Sequence, residues 1–170
     1  MANPDDTPVE EMMTVKSSRF GEFEVARSTI ITLPTGLIGF SQGQQFIMLE
    51  HKPPFSWLQS VDNENLAFVV VDGYEFGDQY QVEAPFGDAT IDLQEGDEFA
   101  ILVIVTVRSD PKDTTANLKA PIFVNLKNRK GIQVIFDNPN YSTRFPLWTE
   151  EAQAGEETPS GDAPKGEGSE

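Results

Sequence analysis

A chain of 170 residues gives room for one ordinary domain with its own hydrophobic core, and we expect a single compact domain. It has no cysteine and one histidine, His51, which excludes disulfides, thiolate chemistry, Cys-ligated metals and a His-based metal site. The formal charge of −16 disfavours direct binding to nucleic acid. Among protein partners, such a charge favours basic ones.

The two ends of the chain differ from its middle. Residues 1–13 are acidic and lack the basic and apolar regions of a signal peptide, while residues 150–170 are mostly Gly, Pro, Ser and Glu. We therefore expect a flexible acidic N-terminus (1–13), a folded β-barrel-like domain (14–149) and a disordered acidic C-terminal tail (150–170). The longest uncharged apolar run, 99–107, is about half of the roughly 20 residues that a membrane helix needs. Together these features predict a cytoplasmic, soluble protein that does not contact a membrane.

Alternating side chains predict strands along most of the folded region. Phe23 and Val25 alternate with Glu22, Glu24 and Ala26, and the pattern recurs at Ile132 and Val134. Many short strands at hairpin-like spacing indicate an all-β fold, a small barrel-like domain of antiparallel strands with at most short helical turns. Further strands are predicted at 28–33, 45–50, 55–60, 66–72, 80–84, 99–107 and 120–126.

The sequence motifs that would indicate catalysis, phosphate binding or metal binding are weak. His51 with a serine would need a nucleophile elbow that the chain lacks, and the glycines of "LPTGLIGF" do not have the spacing of a phosphate-binding loop. The stretch "DLQEGDE" does not match a calcium-binding loop. We expect no catalytic residue, no metal and no cofactor, although abundant carboxylates leave an acid/base pair open.

Charge is segregated along the chain, since eleven acids and no Lys or Arg lie between Lys52 and Arg108. Most of them are expected to be solvated surface charges, and the alternative is an acidic face that steers a basic partner. The acids that we select from this region as partner contacts are Asp62, Glu64, Asp72, Glu75 and Asp78.

The stretches "FGEFEV", "LPTGLIGF", "FSWLQSVDNENLAFVVVD" and "ANLKAPIFVNLKNRKGIQVIFDNPNYSTRFPL" occur in this order, and the chain resembles the flagellar assembly factor FliW family over roughly residues 14–149. It departs from the family's pattern at Ile38 and Gly73, where Pro is common. The resemblance implies a small, non-enzymatic β-barrel protein with two alternative partners, flagellin and the RNA-binding translational regulator CsrA. It also implies that CsrA is antagonised allosterically, so that repression of flagellin translation is relieved. We expect a monomer when free.

Two alternatives stay open for the segment "PPFSWLQS". Phe55 and Trp57 share one side of the predicted strand, and this side either packs into the core or forms an exposed hot spot beside the acidic turn. Asn117 belongs either to a rigid strand entry or to a loop that contacts a partner. Tyr141 and Trp148 are expected either to cap the barrel or to lie beside a groove for a flagellin helix.

Other function classes also remain. One is a small-molecule-binding β-barrel or an enzyme that uses carboxylates for acid/base catalysis. Another is an anionic mimic that competes directly with RNA for CsrA.

Overall fold

The computed structural model describes residues 11–40 and 44–147 of the chain. The expectations for the acidic N-terminus up to residue 10, for Trp148 and for the tail at 150–170 lie outside the described residues. The strands, in chain order, are β1 (Met12–Ser17), β2 (Gly21–Ala26), β3 (Ile31–Thr32), β4 (Gln45–Glu50), β5 (Phe55–Ser60), β6 (Ala67–Asp72), β7 (Phe99–Thr106), β8 (Thr115–Ala116), β9 (Ile122–Asn125), β10 (Lys130–Gln133) and β11 (Phe145–Pro146).

Seven strands form a closed barrel in the order β7, β6, β5, β4, β3, β10, β9, and the pairing of β9 with β7 completes the ring. Neighbours are antiparallel except β3 and β10, which are parallel at Thr32 and Lys130. The short strands β8 and β11 extend from β7, and β1 pairs with β2 in a separate hairpin. The predicted all-β, barrel-like fold is confirmed.

The interior of the barrel is filled with side chains, because apolar residues of each strand alternate toward it. Phe46 on β4, Val70 on β6 and Ile122 on β9 are fully buried there, and Leu58 on β5 is 1% exposed. This packing leaves the barrel wall, and not its centre, as the place for contacts with other molecules.

The barrel wall is covered on the outside in two places. The β1–β2 hairpin packs over Ile47 of β4, where Val15 and Ile30 complete a small core. On the other side, residues of the 73–98 segment and of the C-terminal 134–147 segment pack over β6, β7 and β9. Trp57 on β5 and Val69 on β6 are only half-buried. These two residues mark the part of the wall that forms the candidate site.

The strand predicted at 80–84 is absent, and this prediction was wrong. The hydroxyl of Tyr141 donates to the Gln81 carbonyl at 2.8 Å and accepts from the Gln81 N–H at 3.0 Å. Tyr80 is buried and donates its hydroxyl to the Leu118 carbonyl at 2.8 Å. The Tyr141 hydroxyl therefore bonds the Gln81 backbone where a partner strand would, and alternation alone does not reveal this contact. Tyr141 thus packs on Tyr80, with ring centroids 5.0 Å apart.

The described helices are short 3₁₀ segments at Arg27–Thr29, Gly73–Gln79 and Pro111–Asp113. None of them has the length or the apolar character to cross a bilayer.

Candidate protein-interaction surface

Trp57 lies on the outer face of β5, and its ring contacts three other side chains. The Arg19 guanidinium carbon lies 4.5 Å from the centre of its ring. The rings of Phe20 and His51 approach at centroid distances of 5.6 and 5.5 Å. A cation over an indole face is attracted by the ring quadrupole. The contact therefore fixes the position of the Arg19 side chain as well as that of Trp57. The indole keeps part of its surface open to solvent.

The turn that carries Arg19 and Phe20 is fixed by one buried serine. The Ser17 hydroxyl accepts from the N–H groups of Arg19 and Phe20 at 3.1 and 3.0 Å. It donates to the side-chain oxygen of Gln59 at 2.8 Å, and Gln59 is fully buried in β5. Because Gln59 and Trp57 project from the same face of the strand, this bond ties the hairpin turn to the wall beside Trp57.

One cleft, called the Ile38 cleft below, opens where β6 and β7 separate beyond their last paired residues, Val69 and Val105. Its volume is about 830 Å³. Trp57 forms part of the wall, and among the described residues that line it only two are charged, both basic: Arg19 and Lys119.

The Ile38 cleft carries an unusual amount of exposed apolar surface. Four of its lining side chains are large, apolar and between 45% and 59% exposed. Contiguous apolar surface of this kind marks interaction sites in folded proteins, whereas single exposed residues do not. The four are Ile38, Phe40, Val107 and Ile135.

Long-range hydrogen bonds hold the walls of this cleft. The Ile38 N–H donates to the side-chain oxygen of Gln133 at 2.8 Å, and the Gln133 amide nitrogen donates to the Ala120 carbonyl at 3.0 Å. Gly36 and Gly39 flank Ile38 with φ of 71° and 86°, a conformation that glycine adopts without strain. The turn therefore presents the Ile38 side chain outward while its backbone is anchored.

Asn117 stabilises a turn that borders the same cleft. Its side-chain oxygen accepts from the N–H groups of Lys119 and Ala120, each at 3.1 Å. Asn117 also lines the cleft with Lys119. Asn117 thus shapes the strand entry and also borders the open surface, and its contact with a partner stays a prediction.

A second cleft, called the Phe55 cleft below, lies on the other side of Trp57 and has a volume of about 690 Å³. Its walls include Phe55, Val71, Phe76 and Leu147, and Trp57 is shared between the two clefts. Its lining also contains His51, Lys52 and Glu75.

The structure brings some of the selected residues together and separates others. Phe55, Trp57 and Glu75 line the Phe55 cleft, and Trp57 and Asn117 line the Ile38 cleft. Neither cleft is lined by the remaining four acids, which are exposed: Asp62, Glu64, Asp72 and Asp78.

Two of these acids stabilise turns. The Asp62 carboxylate accepts from the N–H groups of Gln44 and Gln45 at 3.1 and 3.0 Å. The Asp72 carboxylate accepts from the Tyr74 N–H at 2.9 Å, where it caps the following 3₁₀ segment. Sequence reasoning passed over Ile38, Phe40 and Ile135 as site residues. The available signal was an apolar side chain in a turn between two glycines.

The side chains that line the two clefts are suited to binding other molecules. No pair of carboxylates lines either cleft in the described ranges, and no group of three or more His, Asp or Glu side chains there could hold a metal ion. Burial, with the neighbouring Tyr141, raises the pKa of the Tyr80 hydroxyl above its ordinary value, so this group remains a proton donor to the Leu118 carbonyl.

Comparison with known proteins finds relatives that match most of this chain. Residues 14–147 match the family model described as FliW protein. The chain is 43% identical over 143 residues to a flagellar assembly factor FliW of Natranaerobius thermophilus, a match that covers 82% of this chain and 95% of the relative. It is 39% identical over 145 residues to one of Geobacter sulfurreducens, covering 84% and 91%. A crystal structure of the flagellar assembly factor FliW superposes with a TM-score of 0.74 at 32% identity, covering 82% of this chain and 99% of that one.

Proposed function

Because this chain belongs to the FliW family of flagellar assembly factors, we propose that it binds flagellin in the cytoplasm and, alternatively, the translational regulator CsrA. Binding to CsrA antagonises that regulator allosterically and relieves repression of flagellin translation. Flagellin that accumulates in the cell occupies the protein and leaves CsrA free, and export of flagellin reverses this.

The Ile38 cleft is the observation that carries the proposal. Three of the four stretches on which the family resemblance depends meet there, through Ile38, Trp57 and Asn117. Its lining combines these apolar side chains with the basic groups of Arg19 and Lys119, in a chain whose formal charge is −16. An apolar cleft with a basic rim suits an amphipathic protein segment with acidic flanks. We assign flagellin to this cleft.

The acidic side of the molecule suits CsrA. Asp72, Glu75 and Asp78 are exposed on or beside one short 3₁₀ segment, Gly73–Gln79. An RNA-binding protein carries a basic surface, and clustered carboxylates raise its association rate and select against acidic partners. This contact differs from the Ile38 cleft in charge, so the two partners have separate chemical requirements.

The same geometry argues against the other function classes. The barrel interior is packed, so it does not offer the cavity of a ligand-binding barrel. Acid/base catalysis needs a carboxylate positioned in a cleft with a second titrating group. Only Glu75 among the described carboxylates lines either cleft. We therefore propose a binding protein without catalytic activity.

Calorimetric titration with CsrA and flagellin from the same organism tests the proposal. We expect saturable binding of CsrA that weakens between low and moderate salt and that excess flagellin displaces. Glu75→Lys is expected to weaken CsrA binding, whereas the matched control Glu22→Lys, an exposed acid on β2, leaves it unchanged. Absence of binding to both proteins by the folded wild-type chain would refute the proposal. A ternary complex of this protein, CsrA and RNA would support allosteric antagonism, because a direct mimic cannot bind while RNA remains in place.

A further inference from the structure

We propose that the Phe55 cleft is an intramolecular docking site for the start of the C-terminal segment, residues 148–151, with the Trp148 side chain as its anchor. This inference concerns the free protein and does not depend on the identity of either partner. It follows from where the described chain ends, from the shape of the cleft and from the residue that comes next.

The described part of the chain ends in the wall of the cleft. β11 pairs with β8 through Phe145 and Ala116, and the Leu147 N–H then donates to the Thr114 carbonyl at 3.1 Å. Phe145, Leu147 and Thr114 all line the Phe55 cleft. The backbone bends at Leu147, and the alternation of β11 stops there.

The cleft has the chemistry of a site for an aromatic side chain. Its volume of about 690 Å³ is bordered by aromatic and aliphatic groups, including Trp57, Phe55 and Phe76. Trp148 is one of two tryptophans in the chain and directly follows a wall residue. A large aromatic anchor in a concave apolar site is among the residues that contribute most to binding.

Because the C-terminal segment is joined to the wall of the Phe55 cleft, even a weak contact between them is populated. A group joined to its site by a short segment has an effective concentration in the mM range. Lys52 and Glu75 in the lining have opposite charges, so the cleft has little net attraction for the acids at 150 and 151. The contact is therefore apolar, and we expect it to change little with salt.

Paramagnetic broadening in the full-length chain tests the docking. The chain has no cysteine, so Glu151→Cys gives one site for a nitroxide label. Amides of the near wall at Thr114 are broadened by tether length alone, so the readout is the far wall at Phe55 and Val71. We expect the far-wall signals to lose more than half of their intensity, at low and moderate salt alike. Adding Trp148→Ser is expected to restore them, and the control Thr149→Ser is not.

Three results would overturn the inference. The far-wall signals could keep their intensity, or they could be broadened equally with and without Trp148. Broadening could also appear when label and ¹⁵N are on different molecules, which would identify a second copy as the occupant. Binding of flagellin or CsrA is measured separately, so failure here leaves the proposed function standing, and failure of that function leaves this contact standing.

Discussion

Replacement of Trp57 by Ala separates a structural role from a binding role for this residue. Trp57 is half-buried on the outside of the barrel, with Arg19 over its ring, whereas its neighbour Leu58 points into the interior and is 1% exposed. Trp57→Ala therefore removes one wall of two clefts without opening the core. Leu58→Ala leaves a cavity inside the barrel.

The expected costs follow from this difference in burial. Large-to-small changes of fully buried residues cost about 2–5 kcal/mol, so we expect about 3–4 kcal/mol for Leu58→Ala. For Trp57→Ala, partial burial reduces the packing loss, and an exposed cation–π contact is worth about 0.5–1 kcal/mol. We expect a total of about 2 kcal/mol for Trp57→Ala, which in a domain of this size lowers Tm by roughly 4–8 °C.

Urea unfolding followed by circular dichroism measures both variants. The predicted order is wild type, then Trp57→Ala, then Leu58→Ala, with Trp57→Ala still cooperatively folded at 25 °C. Calorimetry on the folded Trp57→Ala chain is expected to show weakened binding of flagellin. The reasoning is refuted if Trp57→Ala is less stable than Leu58→Ala, because Trp57 would then belong to the core.

Three further changes test the packing around the site. Ser17→Ala leaves the buried side-chain oxygen of Gln59 without a donor and is expected to cost about 1–3 kcal/mol in urea unfolding; a change within error would contradict the anchoring of the hairpin. The raised pKa of Tyr80 means that the unfolded chain loses this proton first, so stability is complete below about pH 10 and falls above it. Tyr80→Phe should flatten that alkaline decline in thermal melts, and an unchanged slope would show that other groups cause it. Gly73→Ala would place a Cβ 2.7 Å from Ile101 Cγ2 and is expected to lower Tm, whereas an equal or higher Tm would show that β7 yields easily.

The barrel could be predicted from the sequence because its strands are bounded by turn residues and filled by alternating apolar side chains. The strands at 45–50 and 55–60 have the predicted bounds, and 99–107 is one residue too long. The segment at 80–84 alternates in the same way, yet the Tyr141 hydroxyl bonds the Gln81 backbone where a strand would, and the Tyr80 hydroxyl bonds the Leu118 carbonyl. Those contacts join residues far apart in sequence, and a local pattern cannot report them.

The candidate site was predictable only in part. The aromatic pair Phe55 and Trp57 stood out by composition, and the structure places both in cleft walls. Ile38 did not stand out, because its exposure depends on a hydrogen bond to Gln133, which lies 95 residues away. The run of acids between Lys52 and Arg108 indicated an exposed acidic region. It did not show which of these acids stabilise turns through their carboxylates, as Asp62 does.

Binding of flagellin to a cleft variant tests the central claim most directly. Ile135 is 59% exposed in the Ile38 cleft, and Leu126 is 41% exposed and lines neither cleft, so Ile135→Asp and Leu126→Asp introduce the same charge at two surface positions. Calorimetric titration with flagellin is predicted to show Ile135→Asp binding at least about tenfold more weakly, or roughly 1.4 kcal/mol, with Leu126→Asp unchanged. Equal affinity of both variants and the wild type would contradict the assignment of flagellin to the Ile38 cleft.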